Sequence, residues 1–255
     1  MKAQVLAIGL ATALVSFVPS ARANVLAYES SFSNFGIVDL TTGQFSLLGN
    51  AGQTLAGLGN YGGNLYAGIN TGTNFYQVNP ANGSLSFIGN SGVSIVATGS
   101  TTAGVYELGF DDNLYSVNPT NGALTLIGNT GIPIVSPTGM SANGPNLYIN
   151  SQSSLYLVNT STGVGSLVGS SGSAQFGTMV YIDGVYYAGT ATNAPYKVVT
   201  FDPNTAAVLT SQDSNSDIFW GLAPVVTPLP AALPLFATGL GALGLLGWKR
   251  RRRAA

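Results

Sequence analysis

The sequence predicts an all-β protein, a five-bladed β-propeller of four-stranded blades whose N- and C-terminal strands close the ring, flanked by a signal-peptide helix and a C-terminal transmembrane helix. Three observations predict it. A pattern returns about every forty residues, each copy places alternating apolar segments around an Asn/Asp-to-Gly turn, and the incomplete first and last copies complete one another.

The repeat is plainest at YQVNPANGSLSFIGN (76–90), YSVNPTNGALTLIGN (115–129) and YLVNTSTGVGSLVGS (156–170), with diverged copies at 36–50 and 198–212. Its turn-starting residue falls at Asp39, Asn79, Asn118, Asn159 and Asp202, at spacings of 40, 39, 41 and 43. Alternating apolar residues on both sides of such a turn read as strand, tight turn, strand. Gly43, Gly83, Gly122 and Gly163 supply the positive φ the turn needs. Ala206 stands there in the fifth copy, so that turn is expected to differ.

A second strand signal precedes each hairpin: Asn64 to Ala67, Val105-Tyr106, Asn146 to Tyr148 and Gly184 to Tyr186, with Asn24 to Ala27 as a Tyr-less first copy. Before these lies a small-plus-apolar segment, at Ala56 to Leu58, Thr138 to Met140, Gly177 to Met179 and, weakly, Ile95 to Thr98. The last such segment, Phe219 to Leu222, has no later strands to join, and the first repeat has none before it. Joining the two gives five blades and removes the open edges that long, weakly charged strands would expose. A β-sandwich or an open solenoid is the competing architecture. The glycine-rich stretch from Gly57 to Gly63 reads as a turn, and no stretch reads as an amphipathic helix.

Charge is scarce and uneven. Only 7% of residues are charged, and seven of the eight basic ones sit at the two ends. Residues 24–224 keep Lys197 against nine carboxylates, a net charge of −8, which excludes nucleic-acid binding by phosphate neutralisation. With no Cys and no His, disulfides, thiolate chemistry, the usual zinc ligand sets and His-based acid–base catalysis are also excluded.

Residues 1–23 read as a secretory signal: Lys2 opens it, Val5 to Val18 is apolar, and Ala21-Arg22-Ala23 is a small-x-small cleavage site that makes Asn24 the first mature residue. Residues 225–255 read as a sorting or anchoring segment. Leu229 to Trp248 is twenty residues without a charge, enough to span about 30 Å as a helix. Lys249, Arg250, Arg251, Arg252 and Arg253 follow, and positive-inside bias would keep them cytoplasmic with the domain outside.

The tail Thr227-Pro228-Leu229-Pro230-Ala231, apolar run and terminal arginines resembles the PEP-CTERM family of sorting signals in its VPLPA variant, with Thr227 where Val is usual. The resemblance covers about the last thirty residues. It implies a Gram-negative bacterium, recognition by an exosortase-type membrane transpeptidase, removal of the tail, and delivery to the outer surface or an exopolysaccharide matrix.

Within the domain, catalysis would have to rest on carboxylates, tyrosines, serines or Lys197. Most acids fall in turns, where Asx capping accounts for them. Glu29, Glu107 and Asp217 fall in or beside strands and are the carboxylates to examine for convergence at one mouth of the channel. Asp213-x-Asn215-x-Asp217 has the spacing of half a calcium loop but has Ile218 and Pro224 where an EF-hand needs Gly and Glu, so no metal or cofactor is assigned. The recurrent tyrosines, Tyr66, Tyr106, Tyr148 and Tyr186, are expected to pack between blades. The reading is a non-catalytic structural or binding module whose partner is an extracellular polysaccharide or a surface protein. The alternative is a carboxylate-dependent glycoside hydrolase.

Overall fold

The computed structural model describes residues 24–225, apart from residues 136 and 193. The expected signal peptide with its expected cleavage residues Ala21 and Ala23, the Thr227–Ala231 motif, the apolar tail and Lys249 to Arg253 therefore lie outside the described residues.

Each hairpin turn is built by one side chain. The Oδ1 atoms of Asp39, Asn79, Asn118, Asn159 and Asp202 each accept the backbone N–H two residues on, at 2.8 or 2.9 Å. The same residue's carbonyl accepts from Gly43, Gly83, Gly122, Gly163 and Ala206, which all have positive φ. The fifth turn is thus the same turn, not a different one. Ala206 takes φ 61°, and its methyl group is fully buried among Leu155, Phe176 and Phe201, which offsets the left-handed strain.

These turns join the outer strands of five four-stranded antiparallel sheets. The first contains β1 (Leu26–Ser31), β2 (Asn34–Asp39) and β3 (Phe45–Asn50). The second runs β4 (Gly59–Tyr61), β5 (Asn64–Gly68), β6 (Asn74–Val78), β7 (Leu85–Asn90), and the third β8 (Ile95–Thr101), β9 (Gly104–Gly109), β10 (Asn113–Val117), β11 (Leu124–Asn129). The fourth runs β12 (Thr138–Asn143), β13 (Asn146–Ser151), β14 (Ser154–Val158), β15 (Gly165–Ser170), and the fifth β16 (Phe176–Ile182), β17 (Val185–Thr190), β18 (Lys197–Phe201), β19 (Val208–Asp213). The last strand, β20 (Gly221–Pro224), returns to pair with β1 as the inner strand of the first sheet. The innermost strands β4, β8, β12, β16 and β20 touch in succession, and β20 touches β4, so the sheets form a closed ring.

The molecule is a five-bladed β-propeller with four-stranded antiparallel blades, and no helix occurs among the described residues. Gly57 to Gly63 is not a simple turn: it leads into and through β4, and Gly57 makes a parallel bridge to Thr98. Closure of the ring leaves an outer edge on every blade, contrary to the expectation that it removes edges. Leu47, Phe87, Leu126 and Leu167 stand exposed on β3, β7, β11 and β15.

The core lies between blades rather than within them. Five apolar clusters each straddle one junction, including that of the fifth blade with the first, where Val180 and Tyr187 meet Ala27, Val38 and Leu222. Register shows which tyrosines are equivalent. Tyr28, Tyr66, Tyr106, Tyr148 and Tyr187 lie opposite Ile37, Gln77, Ser116, Leu157 and Thr200. The first copy is therefore not Tyr-less, and in the fifth copy Tyr187 holds the position expected of Tyr186. The slip by one residue matters because it reverses the face. Tyr186 instead points back to the fourth blade, its ring 5.4 Å from that of Tyr148.

Candidate functional site

The inner strands leave a funnel of about 520 Å³ on the ring axis, at the end carrying the β4–β5, β8–β9, β12–β13 and β16–β17 hairpins. Its floor is apolar: Leu58, Met140, Met179 and Leu222 come from four blades and are nearly inaccessible. Thr98 holds the corresponding place in the third blade, since it lies opposite Glu107 as Met140, Met179 and Leu222 lie opposite Ile149, Ala188 and Glu29. The lip is polar. Asn60 donates through Nδ2 to the carbonyl of Pro224 (3.3 Å), and Ser100 donates through Oγ to the carbonyl of Asn60 (2.8 Å). These two bonds tie three blades together at the rim. Tyr61 and Tyr181, both half-buried, supply the aromatic surface, and Ser141, Thr101 and Thr102 add hydroxyls. The lining holds no carboxylate and no cation.

The three candidate carboxylates do not gather in this funnel. Glu29 and Glu107 occupy one and the same repeat position, opposite Gly36 and Tyr115, where the other blades carry Ala67, Ile149 and Ala188. That position is core: all five residues are fully buried. Glu107 fits because the facing residue of the second blade is Gly68, whose β-carbon, if present, would lie 2.5 Å from Glu107 Oε1. Neither Glu107 oxygen has a hydrogen-bond partner, and burial pushes its carboxyl up to about 8. Glu29 sits at the junction of the fifth blade with the first. Its Oε1 accepts from Ser216 Oγ while Oε2 has no partner. Burial, then the charge of Asp217, push its carboxyl up to about 8 against the lowering effect of Ser216.

Asp217 is exposed on the linker that leads from β19 to β20. The half calcium loop is taken apart by its neighbours: Asp213 pairs with Lys197, and Asn215 Oδ1 accepts from the N–H of Phe45 (2.6 Å). Among the described residues no group of three or more His, Cys, Asp or Glu side chains could hold a metal ion. Asn24, the first residue of the mature chain as read from the sequence, is exposed. Asp111 accepts from Tyr115 Oη at 2.5 Å and from Asn113 Nδ2 at 2.9 Å. Burial works against ionisation there, but these bonds hold its carboxyl below the usual range.

One set of structural residues escaped the sequence reading. Gly49, Gly89, Gly128 and Gly169 on the outer strands lie against the hairpin turn of the next blade. A β-carbon on them would lie 1.9–2.2 Å from the carbonyl oxygen of Asn82, Asn121, Thr162 or Thr205. Only glycine permits that approach. The signal was the recurring Gly at the end of the first four copies, which has meaning only once the neighbouring blade is in place.

No family model matches the sequence, and no curated protein matches it. Solved structures do match in shape. A chain of the Myxococcus xanthus glutaminyl cyclase structure aligns at 16% identity over 75% of this chain and 76% of its own, with a TM-score of 0.48. A chain of the nidogen/laminin complex aligns at 8% identity over 78% of this chain and 97% of its own, with a TM-score of 0.57. At that identity the likeness is one of fold, and the fold it shares is the five-bladed β-propeller.

Proposed function

We propose that the protein is exported, sorted by an exosortase-type transpeptidase to the outer surface or extracellular matrix, and acts there as a non-catalytic binding module. The funnel takes a neutral, hydroxyl-rich ligand such as a segment of polysaccharide. One observation carries the ligand class: the funnel is lined by tyrosine rings, hydroxyls and an amide, without a charged group. Aromatic faces stack on the apolar faces of sugar rings, and fixed hydroxyl and amide groups orient their hydroxyls. The placement of Glu29 and Glu107 favours binding over hydrolysis, since a carboxylate pair must flank a bond that solvent-borne substrate can reach. Export and sorting rest on the two ends of the sequence, with their cleavage site, motif, apolar run and basic cluster.

Two measurements test this. Intact mass and cell fractionation compare the wild type with a variant lacking Lys249 to Arg253. The expected wild type is found outside, begins at Asn24 and is shortened near Pro230, whereas the variant is retained. A wild type that keeps its whole tail in the membrane overturns processing. Calorimetric titration with neutral oligosaccharides, on wild type and Tyr61→Ala, then tests the funnel. Loss of binding in the variant supports it, and release of new reducing ends by the wild type would replace it with the hydrolase.

A further inference from the structure

The junction that closes the ring differs from three of the other four, and shares a buried glutamate at one strand position with the fourth, between the second and third blades. Between the first two blades and between the last three, the inner position of the second strand is Ala67, Ile149 or Ala188, packed in apolar surroundings. At the closing junction it is Glu29, fully buried, with Oε2 unpartnered. Two residues along the same strand face is Ser31, 1% exposed, whose Oγ is also unpartnered. The fourth blade shows what that serine position meets: the equivalent Ser151 takes a bond from the N–H of Val135 and donates to the carbonyl of Pro133, both in the linker entering its blade. Ser31 holds the equivalent position in the first blade, whose entering linker runs between β19 and β20. That linker carries Ser216, bonded to Glu29 Oε1, and Asp217, whose charge acts on Glu29.

We propose that this junction binds a divalent cation of the calcium class, held between Glu29 of the first strand and Asp217 of the last linker, with the Ser31 and Ser216 hydroxyls as further oxygen donors. The set is all oxygen, two of the donors are ionisable, and water fills the remaining positions of a hard cation. Asp217 is exposed and gives the ion a way in. Lys197, the one cationic side chain in residues 24–225, is committed to Asp213, so no protein cation neutralises the pair. The ion would join residue 29 to residue 217 across the ring closure. The Glu107 junction lacks the second half of the arrangement, because the linker entering its blade, residues 91–94, carries no carboxylate.

The test is calorimetric titration of chelator-treated full-length protein with calcium chloride, and separately with magnesium chloride, at about pH 7.5, alongside thermal unfolding. Calcium at about 1 mM is expected to raise Tm by roughly 5 °C or more. Asp217→Asn, at an exposed site that the fold does not need, is expected to weaken binding about tenfold or more, since affinity follows the number of charged ligands. Glu29→Gln is expected to abolish it, and Asp213→Asn to leave it unchanged. An undiminished response in both Glu29→Gln and Asp217→Asn overturns the proposal. So does a wild type that gives no heat with either ion and no rise in Tm with calcium.

Discussion

Gly89 of the second blade lies under the carbonyl of Asn121 in the third, so close that a β-carbon would stand 1.9 Å from the oxygen. The same approach recurs around the ring, and at the closing junction the Asp213 carbonyl lies against Gly43. Gly89→Ala must therefore push neighbouring blades apart. Overpacking of this kind costs about 1–3 kcal/mol. Gly104→Ala, where a β-carbon meets nothing within 4 Å, should be close to neutral. Urea unfolding of the two variants checks the contrast.

The hairpin turns give a second contrast. Gly83→Ala would bring a β-carbon to 2.5 Å from Phe35 Cβ, besides imposing left-handed strain, and should cost more than about 1 kcal/mol. Ala206→Gly relieves the strain but empties a buried methyl site, so the two effects oppose and the net change should stay within about 1 kcal/mol. Thermal unfolding of both variants measures the difference.

Glu107 makes stability depend on pH. Its folded carboxyl holds a proton up to about pH 8, whereas the unfolded chain releases it near 4.5. Between those values the folded state binds more protons, so its stability is fully present below the lower value and falls as pH rises through the window. The slope from this group is about 1.4 kcal/mol per pH unit. Glu107→Gln removes that slope and should raise Tm relative to wild type at about pH 8 more than at about pH 5. Equal changes at both pH values would mean that Glu107 is not protonated in the fold.

Phe219 locks the closing strand. It is fully buried against Val180, Tyr187 and Leu222, and its ring occupies the space a β-carbon on Gly189 would enter. Phe219→Ala should cost about 3–5 kcal/mol. Leu209→Ala, at a residue 63% exposed, should cost little. Denaturant midpoints of the pair test whether closure carries that much of the stability.

The blade count and the closing strand were legible because turn residues mark the repeat and Phe219 to Leu222 lacks a partner within its own copy. Blade-to-blade contacts were not legible, since Gly89 and Gly68 owe their identity to atoms about a repeat away in sequence. Tyr186 was given the repeat position that Tyr187 holds, because two adjacent tyrosines both satisfy the local pattern and only pairing with Thr200 chooses between them. Glu29 and Glu107 were singled out correctly as the strand carboxylates, yet their burial follows from register with Ala67, Ile149 and Ala188. Once Tyr28 is aligned with Tyr66, that register can be read from the sequence.

Pairing of Ala27 to Ser30 with Gly221 to Pro224 also sets a schedule. A chain that emerges from its N-terminus presents four whole blades in order, each completed by neighbours in sequence, while the first remains a three-stranded sheet with its inner edge bare. Nothing synthesised before residue 221 can cover that edge. The ring therefore stays open for almost the whole time the domain is being synthesised, and the most non-local contact in the fold is also the last that can form.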